Sequence, residues 1–566
     1  MVAAVALTRR RFLTLGSLAA VPLLNACRDT NRAPTDPVPP NGSPPATRLG
    51  EGNGTSAPAA LNPPVLVVAV VPPADPGLGT DPFRLGVNSG DPWPEAVLLW
   101  TRLAPRPREF DAGLGAFADI DLAVAWDLAE DGGFARLVAS GIAPAPAGHG
   151  HSVRVDAEGL APDHVYYYRF RLGPWTSRTG RTRTAPAPEA RPAKLVVVMA
   201  SCQNFEAGPY GAHRHLAAEE PDLVLFLGDF IYEGAASDPT AQRAHPPVEA
   251  HDLATYRQRY AWYRQDLDLQ AAQACAPWLV VWDDHEVANN YAATQPGDAT
   301  SPADPDVQPA FARRRAAAYQ AWWENQPVRL APPAAAGPAF GCYRSLSWGR
   351  LAHFALLDGR SQRSPQLCGV AVGVACAGLG EEDRTMLGPT QEAWLAKEFE
   401  AAANHAVTWT VLGNQTALAD LTVTLGREAI TLFDQWDGYP VARRRLLDSA
   451  RRAGVANLVA ATGDLHCALA ADLVMDGIVH GSEILASSIS SVFAAGRGSL
   501  FELGLSLLDQ VKLVDTTRRG YVRGEFGPEA VRFAFRHLAD ALDPDATITT
   551  TSQWVLRNGR PGLRPA

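Results

Sequence analysis

Five short stretches of the sequence carry side chains that bind metal ions, and each follows a run of apolar residues. Together they offer a thiol, a phenol, an amide, carboxylates and imidazoles, which are the usual donors of protein metal sites. No single stretch is specific, because pairs such as Gly-Asp are common by chance. All five in one chain predict a metal site, and metal ions in such sites activate water. The residues are Cys202, Asp229 with Tyr232, Asp284 with His285, Asn414, and Asp464 with His466.

The apolar runs in front of these residues are predicted to be buried β-strands, because they are short, continuous and rich in β-branched side chains. Stretches with helical periodicity lie between them, which indicates an α/β domain. The carboxyl ends of strands in an open α/β sheet converge on one crevice, so the donors are expected to meet there. The predicted strands are 195–200, 223–227, 278–282, 407–412 and 458–462, and the predicted helices are 210–218, 310–323, 390–403 and 441–454.

Outside this region the pattern of apolar and polar residues is different. Residues 83–186 contain short alternating segments separated by Gly, Pro and Asp, which is typical of a small antiparallel sandwich of the immunoglobulin or fibronectin kind. Segments after Gly520 indicate terminal strands. The predicted organisation is a signal at 1–27, a Pro- and Gly-rich flexible linker at 28–80, a β-sandwich domain at 81–187 and a catalytic domain at 188–566.

The amino terminus has the features of an export signal. Arg9, Arg10 and Arg11 precede a short apolar run that ends near Leu24, which resembles a twin-arginine signal and makes the twin-arginine translocase the expected partner in export. Cys27 ends a lipobox-like stretch and is predicted to be lipidated, which would anchor the protein at a membrane. An ordinary peptidase site nearby, with Cys27 incidental, is the alternative. The expected location is extracytoplasmic.

Charge and composition exclude some functions. The 566 residues include 50 basic and 60 acidic side chains, a net charge of −10, which argues against a nucleic-acid-binding role beyond nucleic acid as a substrate. None of the lysines ends a glycine-rich phosphate loop, so a P-loop nucleotidase is excluded. Any anionic substrate would need a local source of positive charge, for instance a metal ion. The protein is expected to act as a monomer.

Several longer motifs resemble those of the PhoD-like (alkaline phosphatase D) family, within the calcineurin-like and purple acid phosphatase superfamily. The resemblance implies an α/β metallophosphoesterase sandwich of two mixed β-sheets flanked by helices, preceded by a small all-β immunoglobulin- or fibronectin-like domain. It also implies a hydrolase of phosphoric esters. The motifs are Ala200-Ser-Cys-Gln203, Gly228-Asp-Phe-Ile-Tyr-Glu233, Trp282-Asp-Asp-His-Glu286, Leu357-Asp-Gly-Arg-Ser-Gln-Arg363, Gln435-Trp-Asp-Gly-Tyr439 and Thr462-Gly-Asp-Leu-His466.

The same resemblance implies a di- or trinuclear centre that contains Fe³⁺ and Ca²⁺. Cys202, Tyr232 and His466 would bind the iron, since a thiolate and a phenolate suit a ferric ion. Asp229 would bridge the iron to the second metal.

The second site is expected to take Asp229, Asp284 and Asp464, whose oxygen donors suit Ca²⁺. Asn414 would contribute an amide oxygen, bind through water, or take no part.

The implied mechanism is attack of metal-activated water on phosphorus. His285, with Asp284 beside it, is the predicted catalytic residue, either donating to a phosphoryl oxygen or protonating the leaving oxygen. The alternative is that His285 only orients Asp284. Asp283 is expected to act indirectly, because adjacent residues leaving a strand point in opposite directions.

The roles of two arginines stay open at this point. Arg360 and Arg363 would bind phosphate oxygens through their guanidinium groups, or brace a loop through an ion pair with Asp358.

On the helix after Tyr210, His213 and His215 are expected to be surface or capping residues.

The spacing of two cysteines predicts a disulfide. Cys368 and Cys376 bracket a short segment and are predicted to form a disulfide in an oxidising compartment. Cys275, Cys342 and Cys467 have no predicted partner.

The predicted activity is hydrolysis of phosphomonoesters, phosphodiesters or both for phosphate acquisition. The alternatives are a phospholipase D-like phosphodiesterase of the same fold and a non-catalytic surface lipoprotein with a vestigial site.

Overall fold

The computed structural model describes residues 67–109, 119–237, 243–297, 307–333, 340–494 and 496–566. The predicted signal with Cys27, and the predicted linker up to residue 66, lie outside these residues. Within them, no helix is both long enough and apolar enough to cross a membrane.

The described residues contain eight strands before the catalytic region and seventeen within it. The first eight are β1 (Val87–Trp93), β2 (Ala96–Arg102), β3 (Leu122–Ala129), β4 (Leu137–Ala145), β5 (Ser152–Glu158), β6 (Val165–Leu172), β7 (Trp175–Thr176) and β8 (Gly180–Arg183). The next thirteen are β9 (Leu195–Ala200), β10 (Leu223–Leu227), β11 (Trp278–Val281), β12 (Arg344–Trp348), β13 (Ala352–Leu356), β14 (Val372–Val374), β15 (Trp409–Gly413), β16 (Val423–Leu425), β17 (Glu428–Leu432), β18 (Leu458–Thr462), β19 (Ala468–Met475), β20 (Ile478–Leu485) and β21 (Val511–Asp515). The last four are β22 (Gly520–Phe526), β23 (Ala530–Leu538), β24 (Ile548–Arg557) and β25 (Arg560–Pro565).

The described α-helices with assigned bounds all belong to the catalytic region. They are α1 (Gly211–Ala218), α2 (Leu253–Tyr263), α3 (Leu267–Cys275), α4 (Val307–Asn325), α5 (Gly388–Asn404), α6 (Pro440–Ala453) and α7 (Gly498–Leu505). The four predicted helices correspond to α1, α4, α5 and α6, and each boundary agrees to within three residues. The predicted strands correspond to β9, β10, β11, β15 and β18, with boundaries within two residues.

The five donor-bearing strands divide between two mixed sheets. β9, β10 and β11 lie in a ten-stranded sheet ordered β25-β24-β23-β22-β9-β10-β11-β1-β2-β5, whereas β15 and β18 lie in a seven-stranded sheet ordered β12-β13-β15-β18-β20-β19-β21. The expectation of one open sheet is therefore wrong. The two-sheet sandwich implied by the family resemblance is the observed architecture.

The two sheets share one core and approach closely where the donor residues begin. Val197 and Leu225 of the large sheet belong to the same buried cluster as Val411 and Val459 of the smaller one. A Cβ atom added at Gly463 would lie 2.8 Å from the Ser201 side chain, so only glycine fits at this crossing. This contact brings the carboxyl ends of both sets of strands together.

The N-terminal strands do not form a separate body. β1 runs parallel to β11 through the pair Gly90 and Trp278, so β1, β2 and β5 extend the catalytic sheet. β3, β4, β6, β7 and β8 form a second sheet, and a further buried cluster contains residues of both layers. The predicted β-sandwich is therefore present, but one of its layers is continuous with the catalytic domain. The predicted terminal strands are β22–β25, and β22 pairs with β9.

The described cysteines behave as their spacing indicated. Cys368 and Cys376 form a disulfide, while Cys202, Cys275, Cys342 and Cys467 are free thiols. Cys467 is fully buried within an apolar cluster.

His213 on α1 is fully buried, so its expected surface position is wrong. The ring packs near Tyr210, Phe226 and Trp278, and Nε2 lies 2.7 Å from Oε1 of Gln203. Burial lowers the pKa of His213 to about 3. The fold therefore holds this histidine neutral.

We expect His213 to make the fold sensitive to acid. An unfolded histidine titrates near pH 6.5, so the unfolded chain binds the proton first as the pH falls. The stability that neutral His213 contributes is complete above pH 6.5 and decreases as the pH drops toward 3. From pH 7 to pH 4 the expected loss of unfolding free energy is about 3 kcal/mol.

Denaturant unfolding at both pH values checks this expectation. His213→Gln, which keeps a polar group beside Gln203 but does not titrate, should lose correspondingly less stability than the wild type. The matched control is exposed His251, and His251→Gln should keep the wild-type pH dependence. A His213→Gln protein with the wild-type pH dependence would contradict the assignment.

Candidate metal centre

The predicted donors follow strand ends in strained backbone. Cys202 follows β9, Asp229 follows β10, and Asp464 and His466 follow β18. These four residues have φ angles of 57°, 57°, 64° and 52°, in the left-handed region that non-glycine residues rarely adopt. Such strain persists where surrounding contacts enforce it, and it clusters at functional sites.

The first group of donors joins the thiol to oxygen and nitrogen ligands. Donor atoms of Cys202, Asp229 and His466 all lie within 4.8 Å of one another. The Tyr232 hydroxyl lies 2.8 Å from Asp229 Oδ2 and 2.9 Å from His466 Nε2. The Ser491 hydroxyl lies 2.7 Å from the Tyr232 oxygen. All four residues predicted for the iron site are thus brought together.

The second group contains only carboxylates. Oxygen atoms of Asp283, Asp284 and Asp464 lie within 4.8 Å of one another. Contrary to the expectation that Asp283 and Asp284 point in opposite directions, both carboxylates reach this group, because β11 already ends at Val281 and the alternation of a strand does not extend to these residues. Asp229 Oδ1, Asp283 Oδ2 and Asp284 Oδ1 are buried and have no hydrogen-bond partner among the residues that the structure describes.

A third group links the first two through a histidine. One donor atom each of Asp229, Asp284 and His285 lies within 4.8 Å of the others. The His285 ring packs on the Tyr232 ring at 4.1 Å between centroids, and its Nδ1 lies 2.7 Å from Glu233 Oε2. Side chains of His285 and His466 are about one fifth exposed, at 20% and 21%, so the centre is open to solvent on their side.

Comparison with known proteins identifies the family of this chain. Residues 195–535 match the family described as PhoD-like phosphatase, and residues 70–186 match the N-terminal domain of the same family. The chain belongs to the PhoD-like phosphatase family. It is 37% identical over 503 residues to "Alkaline phosphatase D" of Bacillus subtilis (strain 168), covering 87% of this chain and 83% of that protein. A solved structure titled "Structure of PhoD" superposes with a TM-score of 0.80 at 36% identity, covering 87% of this chain and 93% of that one.

These matches confirm the predicted family, fold class and enzyme class. The protein is a PhoD-like phosphatase, a hydrolase that acts on phosphoric ester bonds. The N-terminal all-β domain and the mixed-sheet catalytic domain are those of the family.

Two buried arginines organise the acidic side of this PhoD-like phosphatase. Arg360 pairs with Asp283 at 2.5 Å, Asp434 at 2.8 Å and Asp464 at 3.1 Å, and its side chain is fully buried. Arg363 pairs with Asp434 at 2.5 Å. The expected pairing of these guanidinium groups with Asp358 is wrong.

Asp358 has other partners. Its carboxylate accepts hydrogen bonds from the backbone N–H groups of Arg360 and Ser361 and from the Trp282 indole. Asp358 therefore shapes the loop backbone, while Asp434 pairs with the guanidinium groups. The contact of Arg360 and Arg363 with phosphate stays a prediction.

The electrostatics of the centre favour a bound cation. Burial and neighbouring carboxylates raise the pKa of Asp464 to about 6 and the pKa of Asp283 well above its ordinary range, although Arg360 opposes both shifts. Burial and the Asp229 carboxylate likewise raise the pKa of the Cys202 thiol. Negative groups crowded out of water repel one another, and a bound metal ion relieves that repulsion.

For His285, neighbouring charges outweigh burial and favour the charged form of the side chain. Burial alone would lower its pKa, but the carboxylates of Glu233, Asp284 and Asp229 raise the pKa of the imidazole well above its ordinary value. A positively charged His285 is therefore stabilised beside the acidic donors.

Some residues that shape the site were not predicted from the sequence. The Glu286 carboxylate accepts hydrogen bonds from the backbone N–H groups of Asp229 at 3.0 Å, Phe230 at 2.6 Å and Asp283 at 2.8 Å, so it ties together the loops after β10 and β11. Gln435 donates to Asp464 Oδ2 at 2.5 Å. Both residues lie within motifs that resemble those of the PhoD-like family, and this resemblance was the sequence feature that could have identified them.

Asn414 is buried after β15. Its Nδ2 donates to the Thr416 carbonyl, and its Oδ1 accepts from the Trp436 indole at 3.4 Å. Its predicted metal role stays a prediction.

Proposed function

We propose that this PhoD-like phosphatase hydrolyses phosphomonoesters, phosphodiesters or both, outside the cytoplasm, with Fe³⁺ and Ca²⁺ as its metal ions. The observation that carries the proposal is the pairing of two chemically different donor groups. One contains the thiol of Cys202, and the other contains only carboxylates. A thiolate with a phenolate favours a transition metal, whereas an all-oxygen set favours a hard cation.

The donors fit such ions. Three of their oxygen atoms are buried and find no hydrogen-bond partner in the described part of the protein, and a cation would satisfy them. When bound, the ions would offset the phosphate charge and activate water. The residues proposed to hold iron are Cys202, Asp229, Tyr232 and His466, and those proposed to hold calcium are Asp229, Asp283, Asp284 and Asp464.

His285 is proposed to deliver the proton that the leaving oxygen needs. Its Nδ1 is engaged by Glu233, and within the described part of the chain its Nε2 has no hydrogen bond. The ring is the most exposed member of the third donor group, so a substrate entering from solvent would meet it. Arg360 is proposed to orient Asp283 and Asp464 by its ion pairs rather than to hold phosphate.

Location and partners are also proposals. The consecutive arginines of the amino terminus support export by the twin-arginine translocase, and Cys27 supports a lipid anchor. A disulfide at Cys368–Cys376 supports an oxidising compartment. The net charge of −10 argues against a nucleic-acid-binding role, and the proposed metal ions would supply the local positive charge that a small phosphoester substrate needs. We propose that the protein scavenges phosphate there as a monomer.

Elemental analysis of the purified mature protein, combined with hydrolysis assays at alkaline pH, tests the proposal. We expect iron and calcium in the protein and turnover of a phosphomonoester such as 4-nitrophenyl phosphate or of its bis-ester. The ratio of the two rates would assign the enzyme as a monoesterase or a diesterase. A protein expressed with both metals supplied that contains neither and hydrolyses neither ester would refute it.

A further inference from the structure

Glu233 is a buried carboxylate beside the centre that coordinates nothing in the proposed metal site. Only 8% of its side chain is exposed. Both of its oxygen atoms are used: Oε2 accepts from His285 Nδ1 at 2.7 Å, and Oε1 accepts from the Asn289 backbone N–H at 2.7 Å. Because two groups hold the carboxylate, it cannot rotate without losing a charge-assisted hydrogen bond.

The backbone that carries Glu233 is also fixed. The buried Arg259 guanidinium donates to the carbonyl oxygens of Tyr232, Gly234 and Val248. The Glu233 carbonyl accepts from the Ala250 N–H at 2.8 Å. Glu233 is thus presented to His285 from a loop that is anchored on both sides.

His285 is constrained from two directions. The Tyr232 ring covers one face at 4.1 Å, which fixes the plane of the imidazole. Stacking alone does not distinguish the two ring orientations that exchange Nδ1 and Nε2. The Glu233 carboxylate does, because it holds the proton of Nδ1 and leaves Nε2 for a substrate.

We propose that Glu233 is a positioning residue that orients His285 toward the leaving group, and that it thereby adapts the enzyme to esters of alkyl alcohols. This inference rests on the proposed role of His285. In the reaction a water oxygen forms the new bond to phosphorus and the bond to the leaving oxygen breaks. The leaving oxygen keeps the electron pair and takes the proton from His285 Nε2. The attacking water releases its proton to solvent, and solvent later returns a proton to His285.

The leaving group determines how much this proton matters. An alkoxide is a poor leaving group and needs protonation, whereas 4-nitrophenolate leaves as a stable anion. General acid catalysis contributes about 10²- to 10⁴-fold where it is needed. A residue that only positions the acid should therefore affect alkyl esters far more than nitrophenyl esters.

The test compares Glu233→Gln with wild-type holoenzyme on glycerol phosphate and 4-nitrophenyl phosphate, or on an alkyl and a nitrophenyl diester if the wild type turns over only diesters. Glutamine keeps the volume and the backbone contact but lacks the charge. We expect kcat on glycerol phosphate to fall about 100-fold and kcat on 4-nitrophenyl phosphate to fall less than about 5-fold, with metal content unchanged. Added to a His285→Gln protein, Glu233→Gln should cause less than about a 2-fold further loss, because residues acting as one unit are not additive.

Several outcomes would overturn the inference. Equal losses on both esters, a further large loss in the His285→Gln background, or a Glu233→Gln protein that loses its metal or fails to fold would make Glu233 a purely structural residue. A wild-type enzyme that hydrolyses neither phosphomonoesters nor phosphodiesters would instead refute the proposed function. The two failures are therefore distinguishable.

Discussion

Cys202→Ala is expected to remove iron from the protein and to lower kcat/KM for phosphoester hydrolysis by about 10³-fold, equivalent to about 4 kcal/mol of transition-state stabilisation. Cys202 supplies the sulfur ligand of the donor group formed with Asp229 and His466. The other two donors, with Tyr232, would remain but would offer only oxygen and nitrogen. Elemental analysis and steady-state kinetics on the purified variant measure both effects.

A cysteine elsewhere provides the matched control. Cys275 is a free, half-buried thiol at the end of α3, and its Sγ donates to the Ala272 carbonyl. Cys275→Ala should keep the iron and the activity of the wild type. If Cys202→Ala also keeps both, the thiol is not a ligand and the assignment of the iron site fails.

Much of the metal centre followed from local sequence pattern. The runs that became β9, β10 and β18 are continuous and apolar because both faces of these strands are buried, and such runs have clear ends. Donor residues directly after those ends were predicted to meet, and they do. The donors meet although their strands divide between two sheets, because the two sheets approach closely where these strands end.

Long-range pairing could not be predicted in this way. Arg360 binds carboxylates that lie 77, 74 and 104 residues away in the sequence, at Asp283, Asp434 and Asp464. A nearby acid such as Asp358 was the only partner that spacing could offer. Asp434 gave no signal, because one aspartate beyond a strand end has no distinctive pattern.

The packing of short helices and the pairing of strands from distant regions could not be predicted from the sequence either. α1 has eight residues, which is too few for helical periodicity to show that His213 faces the core. The joining of β1 to β11 rests on one residue pair, Gly90 and Trp278, that only the folded arrangement of the two regions brings together.

Arg360→Met is expected to lower the free energy of unfolding by about 3–5 kcal/mol in the presence of a chelator, because it leaves buried carboxylates without their counter-charge. Arg360 is the fully buried cation shared by Asp283, Asp434 and Asp464. Methionine fills a similar volume and cannot pair with them. Denaturant unfolding with and without millimolar Ca²⁺ measures the effect.

Added Ca²⁺ should stabilise Arg360→Met more than the wild type, because the freed carboxylates of Asp283 and Asp464 then bind the ion without competition from a guanidinium group. Arg363→Met is the matched control. Arg363 is equally buried, but its ion pair is with Asp434 and not with the carboxylate group that is proposed to bind calcium. Its loss of stability should therefore show no extra response to Ca²⁺. If the two variants respond alike, Arg360 does not share those carboxylates with the metal, and the calcium site must be sought elsewhere.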